Sequence, residues 1–385
     1  MARRRPTLVR NKRKRNGLGK AGMEKPVYYD FQLLFLVIFM VFLGLVMVYS
    51  TSSYTSELKT GSAFFYLKRQ GIFAALGIVA MLVFARIDYH IWKRFAVIFM
   101  LGIIGLLFLV IIIGTASHGA TRWIQIGPVQ FQPSELAKLA IILYTAYMAS
   151  IKSIRIGEIR ILVKVAALPL VAVALIASEN LSTAIICAAI AFMIIFVTSP
   201  KFWQFVAAGI AVALLLGIFL LVASYRLERI KIWRNPENYE KGYQTLQSLY
   251  AIGSGGIFGK GLGQSIQKLG FIPESHNDMI FSVVCEELGL FGAACVIALF
   301  VMLIWRCVVI AMSAPDLFGA LIVVGVITHI AVQVIVNIAV VTNSIPPTGV
   351  PLPFISYGGT ALACLLAELG LVLSVASRIR IPKGY

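Results

Sequence analysis

Long apolar runs recur along almost the whole of this 385-residue chain, and they constrain its fold more than any other feature. A helix that crosses the hydrocarbon core of a bilayer needs about 20 predominantly apolar residues. Because 59% of the residues are apolar and only 13% are charged, the chain cannot be arranged as water-soluble domains. The sequence therefore predicts an all-α polytopic membrane protein with about ten transmembrane helices. The predicted spans lie near residues 30–50, 70–87, 91–113, 134–150, 161–177, 182–199, 203–224, 278–306, 315–342 and 358–377.

Basic residues predict how these spans are oriented. The first 25 residues contain ten Lys or Arg and one acid, Glu24, and supply about half of the formal net charge of +18. We expect residues 1–25 to be a disordered cytoplasmic tail on anionic lipid, rather than a nucleic-acid-binding arm or a cleaved signal peptide. Residues 26–385 then form the transmembrane domain. Further Lys and Arg in alternate loops and after the last span place both termini in the cytoplasm.

The longest loop, residues 225–277, departs from this charge pattern because it is basic on the predicted extracytoplasmic side. Two interpretations stay open: long loops tolerate charge during translocation, or these cations bind an anionic ligand such as a lipid-linked pyrophosphate. The basic residues of the loop are Arg226, Arg229, Lys231, Arg234, Lys241, Lys260 and Lys268, and the acids are Glu228, Glu237, Glu240 and Glu274.

A polar segment at 119–138 leads into the fourth predicted span. Its Gly and Pro residues predict an ordered loop, and Pro133 suits the first turn of the helix that follows. Glu135 and Lys138 are three residues apart, so they lie on one helix face where they can pair. Ionisable residues at membrane depth are unfavourable unless they pair or line a cavity. The pair indicates either a structural ion pair or the wall of a polar substrate cavity.

A glycine-rich stretch at 253–263 superficially resembles a nucleotide-binding loop. The nucleotide-binding pattern requires Gly where Ser254 stands and Ser or Thr where Gly261 stands, and no strand is predicted before it. We therefore expect these glycines to let the backbone pack closely against a neighbour or a ligand.

The end of the long loop brings an acid to the water–lipid boundary. Asp278 lies at or just before the predicted first turn of a membrane helix, where it can act as a cap or as a base. Desolvation would raise its pKa and the helix N-terminus would lower it. Glu286, eight residues later, is expected to share a helix face with Asp278, whereas Glu287 points away.

The last polar segment, residues 343–360, contains four prolines within eight residues and no charge. Such a segment cannot form a regular helix. We expect it to be a stiff re-entrant or capping loop that shapes the mouth of a cavity.

Four motifs in this order resemble the SEDS family (FtsW, RodA and SpoVE), and the resemblance extends over residues 30–380. Two departures matter. The turn Ser178-Glu179-Asn180-Leu181-Ser182-Thr183 has Asn180 where the family commonly has an Asp, and Asn277 stands where the family has Thr in His-Thr-Asp, which leaves Asp278 in place. The matching motifs are Arg-Trp-Ile-x-x-Gly-x-x-x-x-Gln-Pro-Ser-Glu-x-x-Lys from 122 to 138, Gly-Gly-x-x-Gly-x-Gly-x-Gly from 255 to 263, Pro-Glu-x-His-x-Asp at 273–278 with Glu286-Glu287-x-Gly289, and Gly349-x-x-Leu-Pro-Phe-x-Ser-Tyr-Gly-Gly359.

The resemblance implies a peptidoglycan glycosyltransferase that polymerises lipid II at the outer face of the membrane, with inversion and release of undecaprenyl pyrophosphate. It places the general base on Asp278. Positive charge is needed for the leaving pyrophosphate, and the basic residues predicted to supply it are Arg122, Arg226, Arg229, Lys260 and Lys268. The other predicted substrate-binding residues are Glu135, Lys138, His276 and Ser356.

The basic tail and the proline-rich segment look more like the FtsW and SpoVE branch than RodA. That branch implies septal synthesis in the bacterial cytoplasmic membrane, with a cognate class B penicillin-binding protein and other divisome membrane proteins as partners. Two alternatives stay open: a lipid II flippase that depends on Glu135 and Lys138, and a non-catalytic divisome scaffold. No cofactor is predicted from a motif, and none of the four histidines has metal-ligand spacing, although a divalent cation at the pyrophosphate is chemically sensible.

Overall fold

The computed structural model describes residues 30–113, 115–117, 120–126, 129–152, 158–201, 203–205 and 231–379. Nine helices in these ranges are long and apolar enough to cross a membrane, and the shorter α7 is not among them. The helices are α1 (Phe31–Thr60), α2 (Phe65–Arg86), α3 (Trp92–Ile113), α4 (Pro133–Lys152), α5 (Ile159–Glu179), α6 (Leu181–Thr198), α7 (Tyr243–Ser254), α8 (Ile280–Ser313), α9 (Leu317–Val341) and α10 (Gly359–Ala376).

This architecture confirms the predicted all-α polytopic membrane fold. Nine of the ten predicted spans coincide with helices. The remaining one, at 203–224, lies almost wholly outside the described residues, and the tail at 1–25 lies entirely outside them. The predicted ordered loop before α4 contains a small antiparallel sheet of order β1-β2-β3, in which Ile124 lies opposite Phe131. Its strands are β1 (Thr115–Ser117), β2 (Ala120–Ile126) and β3 (Val129–Phe131).

Local cap chemistry fixes several helix ends. The Asp30 carboxylate accepts a hydrogen bond from the Leu33 N–H at 3.0 Å and begins α1. Gly61 ends the same helix in the left-handed conformation, with φ of 70°. Asn180 is the N-cap residue of α6, and its side-chain oxygen accepts hydrogen bonds from the N–H groups of Ser182 and Thr183 at 3.1 and 3.2 Å.

Glycines allow α2 and α10 to pack closely along their lengths. A Cβ atom at Gly77 would collide with Leu366 of α10, and one at Gly370 would crowd the Met81 carbonyl of α2. Small residues at helix interfaces are the usual means by which membrane helices approach one another. These two helices also carry the segments that flank the cavity described below.

The helix ends define two faces of the bundle, which we term the cavity face and the tail face. The cavity face comprises residues 60–65, 129–133, 180, 272–279 and 342–358, and the tail face comprises residues 86–94, 306–317 and 377–379. Ion pairs link the loops of the tail face: Lys93 Nζ lies 3.0 Å from Asp316 Oδ2, and Arg378 Nε lies 3.3 Å from Asp88 Oδ1. The basic residues on this face fit the predicted cytoplasmic side.

Helix α8 is interrupted at Gly289, which has φ of 68° and ψ of −169°. The glycine stretch lies against this break: Lys260 N donates to the Glu286 carbonyl and Leu290 N to the Gly256 carbonyl, both at 2.9 Å. We term residues 255–268, together with the part of α8 that they contact, the clasp. Cβ atoms at Gly255 or Gly259 would collide with carbonyl groups of α8. The expectation that these glycines permit close backbone packing is therefore confirmed, and the neighbour is α8.

Candidate active site

A cavity of about 600 Å³ lies at the cavity face of the bundle. Its walls come from the end of α1, the start of α2, strands β2 and β3, the first turn of α4, the α5–α6 turn, residues 274–278 and residues 349–361. The proline-rich segment therefore does line the cavity, in agreement with its predicted role as a scaffold.

Asp278 lies half-buried in the wall of this cavity. Helix α8 begins two residues later, at Ile280, and its N-cap residue, Met279, makes no side-chain capping bond. Asp278 is therefore not the N-cap residue of α8, although its carboxylate accepts a hydrogen bond from the Met279 N–H. None of the ion pairs among the described residues includes Asp278. Its backbone carbonyl accepts a hydrogen bond at 2.7 Å from Asn337 Nδ2, which also donates to the Val350 carbonyl at 2.8 Å.

The surroundings of Asp278 make its carboxylate a stronger base than an ordinary one. The pKa of Asp278 is raised to about 6, chiefly by burial and to a smaller extent by the charge of Glu274, while hydrogen bonds from backbone N–H groups act in the opposite direction. A carboxylate with this pKa is still mostly ionised at pH 7. Such a group suits proton abstraction from a hydroxyl, because general bases work best with a pKa near the working pH.

His276 belongs to an aromatic cluster in the same cavity. Its ring centroid lies 4.5 Å from that of Tyr66 and 5.6 Å from that of Tyr357, and its carbonyl accepts a hydrogen bond from Tyr357 N at 2.8 Å. Burial lowers the pKa of His276 to about 4, so the ring is neutral at pH 7. His276 thus offers the cavity a polar edge but no charge.

Glu135 and Lys138 form the ion pair that their spacing predicts. Lys138 Nζ lies 2.8 Å from Glu135 Oε2, and both side chains are nearly inaccessible to solvent. Glu135 lines the large cavity, while both residues and Ser356 line an adjoining chamber of about 20 Å³, large enough for a single water molecule. The pair is therefore both a buried ion pair and part of a cavity wall.

Ser356 helps to fold the proline-rich segment. Its Oγ accepts a hydrogen bond from Leu352 N at 2.8 Å, and its carbonyl accepts one from Gln70 Nε2 at 3.2 Å. Gln70 also accepts a hydrogen bond from Gly358 N at 3.2 Å through its Oε1, so a single amide side chain holds this turn from α2. The side chain of Ser356 does not line the large cavity.

Polar residues on α9 also bond the proline-rich segment at 343–360, and they were not among the predicted site residues. Gln333 Nε2 donates to the Pro351 carbonyl at 2.9 Å, and Gln333 Oε1 lies 2.8 Å from His329 Nε2. The other ring nitrogen of His329 lies 2.7 Å from Glu368 Oε2. His329, Gln333 and Asn337 are spaced four residues apart within an apolar span. That spacing places them on one helix face and was a readable signal of a buried polar stripe.

Lys260 and Lys268 are held in the clasp. Lys260 Nζ lies 2.6 Å from Glu286 Oε1, and Lys268 Nζ lies 2.7 Å from Glu287 Oε1 and 3.1 Å from Ser50 Oγ. Neither lysine lines the cavity. The prediction that they hold a pyrophosphate is not supported by this geometry, because both ammonium groups are engaged by carboxylates elsewhere.

Glu286 was predicted to share a face with Asp278, and this prediction is wrong. Asp278 precedes the first turn of α8, so helical periodicity does not connect the two residues. Glu286 is fully buried and accepts hydrogen bonds from Ser265 Oγ and from the N–H groups of Ile266 and Gln267.

The remaining predicted site residues cannot be placed. The backbone of Arg122 belongs to β2, but its side chain lies outside the described part of the chain, as do Arg226 and Arg229 entirely. The described cations that line the cavity are Lys59 and Arg69, which the sequence analysis did not single out. Their signal was a basic residue on either side of a short loop on the predicted outer face, against the expected bias. No three His, Cys, Asp or Glu side chains in the described ranges are grouped to hold a metal ion.

Comparison with known proteins gives one consistent answer. Residues 31–381 match the family model for FtsW, RodA and SpoVE, described as cell cycle proteins. A probable peptidoglycan glycosyltransferase FtsW from Geobacter metallireducens is 40% identical over 374 residues, covering 94% of this chain and 98% of the relative. Stage V sporulation protein E from Bacillus subtilis is 39% identical over 357 residues, covering 90% and 96%.

Two solved structures share the fold over nearly their whole length. A chain of a peptidoglycan synthase complex that coordinates polymerization and crosslinking superposes with a TM-score of 0.80 at 29% identity, covering 92% of this chain and 99% of that one. The rod shape determining protein RodA of Thermus thermophilus gives a TM-score of 0.68 at 29% identity, covering 92% and 98%. These matches, together with the cavity lined by residues of the predicted motifs, show that the chain belongs to the SEDS family of FtsW, RodA and SpoVE.

Proposed function

We propose that this protein is a peptidoglycan glycosyltransferase that polymerises lipid II, with Asp278 as its general base. The observation that carries the proposal is the position of Asp278, half-buried in the cavity wall and outside every ion pair among the described residues. A carboxylate engaged by a cation, such as Glu287, is a poor proton acceptor. Asp278 instead has a raised pKa and faces a space large enough for sugars.

We propose the following steps for the reaction in this cavity. The 4-hydroxyl of the acceptor sugar attacks the anomeric carbon of the donor, and Asp278 takes the hydroxyl proton as the new C–O bond forms. The bond between the anomeric carbon and the diphosphate breaks, and undecaprenyl pyrophosphate leaves with the bonding electrons. Attack opposite the leaving group inverts the anomeric configuration. The proton on Asp278 then passes to water in the cavity.

The relatives support this choice of reaction. The two relatives named above are a probable peptidoglycan glycosyltransferase FtsW and a sporulation protein, and the solved relatives include a chain of a peptidoglycan synthase complex that coordinates polymerization and crosslinking. We propose that this chain acts likewise in the bacterial cytoplasmic membrane, at the division septum. Its partners would be a class B penicillin-binding protein, which crosslinks the strands, and other divisome membrane proteins.

Polymerisation by the purified chain tests the proposal. The protein, with its cognate class B penicillin-binding protein, is given labelled lipid II, and glycan strands are resolved by gel electrophoresis. We expect Asp278→Asn to reduce the rate of strand formation about 10²- to 10⁴-fold, which is the usual contribution of a general base. Glu274→Gln is the matched control, because it removes a nearby exposed carboxylate, and it should still form strands.

The alternatives give different results in the same preparation. Movement of labelled lipid II between leaflets of vesicles, without strands from the wild-type complex, would identify a flippase. Normal growth of cells that carry only Asp278→Asn would identify a scaffold. Equal strand formation by Asp278→Asn and the wild type would overturn the role of Asp278.

A further inference from the structure

The leaving diphosphate needs cations at the cavity, and few described residues can supply them. A diphosphate leaves with additional negative charge, which preorganised cationic or N–H donors stabilise most in a site that excludes water. Lys260 and Lys268 are bound to Glu286 and Glu287 in the clasp. His276 is neutral at pH 7, because burial lowers its pKa to about 4.

The α1–α2 corner of the cavity provides two positive charges. Lys59 lies in the last turn of α1 and Arg69 near the start of α2, and both line the cavity together with Asp278. Lys138, the other cation near this space, forms an ion pair with Glu135 and lines the adjoining chamber rather than the cavity itself. Within the described ranges, Lys59 and Arg69 are therefore the cations of the cavity wall.

The corner also lies next to the segment that carries the base. Arg69 hydrogen-bonds the side chain of Tyr357, whose ring centroid lies 5.1 Å from that of Tyr66 and 5.6 Å from that of His276. The charge of Lys59 acts on His276, two residues before Asp278, and lowers its pKa. The aromatic cluster thus connects the two cations to the backbone of the Asp278 segment.

The two cations differ in ways that suit a diphosphate. Arg69 is half-buried and presents a planar guanidinium, which can contact two phosphate oxygens at once while a hydrogen bond to Tyr357 orients it. Lys59 is exposed at the rim, where a mobile point charge can follow the second phosphate. Beside Glu135 of α4, the lining near β3 and the start of α6 includes uncharged polar side chains, which suit sugar hydroxyls and acetamido groups: Gln130, Gln132, Asn180 and Thr183.

We infer that the α1–α2 corner is the diphosphate site of the cavity, with Arg69 as its main ligand and Lys59 as its second. The ligand class is a polyprenyl diphosphate. The inference rests on the proposed function for its substrate, and it replaces Lys260 and Lys268 as the groups that hold the leaving diphosphate.

Binding of the product, measured apart from catalysis, tests the site. The full chain with its partner is purified in detergent, and the dissociation constants of undecaprenyl diphosphate and of undecaprenol are measured by competition against a fluorescent polyprenyl diphosphate. We expect the diphosphate to bind the wild type at least about tenfold more tightly than the alcohol, because charge-assisted phosphate contacts are strong. Arg69→Met should remove most of this preference, and Lys59→Met should remove about half of it.

Two further variants separate a lost ligand from a damaged fold. Arg69→Lys retains the charge but loses the planar fork, and should give a preference between those of the wild type and Arg69→Met. Lys68→Met is the matched control, because Lys68 is an exposed neighbour in the same helix that does not line the cavity, and its preference should stay within about twofold of the wild-type value.

The outcomes distinguish failure of the site from failure of the function. A wild-type preference that Arg69→Met and Lys59→Met both retain would overturn the site, whether or not strands form. A preference that depends on Arg69 in a complex that forms no strands would support the site and reject the glycosyltransferase. A loss with Lys68→Met as large as that with Arg69→Met would show a general surface effect and overturn the assignment.

Discussion

Asp278 and the pair Glu286–Glu287 lie within ten residues of one another, yet the fold gives them opposite surroundings. Glu286 and Glu287 are fully buried, and each bonds a lysine and a serine hydroxyl. Asp278 is half-buried, faces the cavity and belongs to none of the described ion pairs. The comparison shows that the acids in the clasp hold the structure together, whereas the acid in the cavity wall is left available for chemistry.

The largest expected effect is on stability, in the clasp. Glu287→Leu leaves the buried ammonium of Lys268 without its carboxylate, and we expect the free energy of unfolding to fall by about 3–5 kcal/mol. Reversible unfolding of the purified chain in detergent, or its thermal midpoint, measures this loss.

A double variant and a cavity variant complete that test. Lys268→Met combined with Glu287→Leu removes both charges and should recover most of the lost stability, because an apolar pair is commonly as stable as a buried ion pair. Asp278→Asn should leave the unfolding free energy near or above the wild-type value. A loss with Asp278→Asn as large as that with Glu287→Leu would break the distinction between the two regions.

The next effect is on catalysis, through the residue that holds the Asp278 backbone. Asn337→Leu removes the hydrogen bonds to the Asp278 and Val350 carbonyls. Because a small displacement of a catalytic group strongly reduces the rate of the chemical step, we expect kcat to fall about 10- to 100-fold while KM changes little. Steady-state polymerisation rates over a range of lipid II concentrations separate the two constants.

Thr342→Val is the control at the C-terminal cap of the same helix, since the Thr342 hydroxyl is exposed and donates to the Ile338 carbonyl of α9. It should leave kcat and KM close to wild type. If Asn337→Leu instead raises KM at constant kcat, Asn337 shapes the substrate site and does not position the base.

A smaller effect concerns pH. Below the raised pKa of about 6, Asp278 is protonated and cannot accept the hydroxyl proton, so kcat/KM should fall about tenfold per pH unit below that value. An ordinary aspartate would keep its activity down to about pH 4. The pH profile of polymerisation between about pH 4.5 and 8 distinguishes a raised pKa from an ordinary one. A value of kcat/KM that stays constant between about pH 6 and 4.5 would contradict the role assigned to burial.

Glu274→Gln tests the same pH profile and should cause the smallest change of those predicted here. The charge of Glu274 raises the pKa of Asp278, after the larger effect of burial. Since Glu274 is exposed and solvent screens its charge, its removal should move the acid limb to lower pH by only about 0.2–0.5 unit. A shift in the opposite direction would show that the limb belongs to another group.

Sequence periodicity predicted the helices well, because apolar runs of bilayer length leave few alternatives. The Glu135–Lys138 pair was equally predictable, since its partners are three residues apart on one helix. The partners of Glu287 were not, because Ser50 lies 237 positions away in the sequence and meets it only after α1 and α8 pack together. For the same reason the sequence could not separate clasp lysines from cavity cations, and Lys59 and Arg69 were overlooked.

The break at Gly289 has a mechanical consequence for membranes of different thickness. A continuous α8 would transmit any vertical adjustment of its lipid-embedded half to Asp278. The glycine stretch holds both sides of the break, through Glu286 on the outer segment and Leu290 on the inner one, so the longer inner segment can change its angle about this point as the hydrocarbon thickness changes. Lipids with longer or shorter tails should therefore change the tilt of residues 290–313 and leave the height of the proton acceptor unchanged.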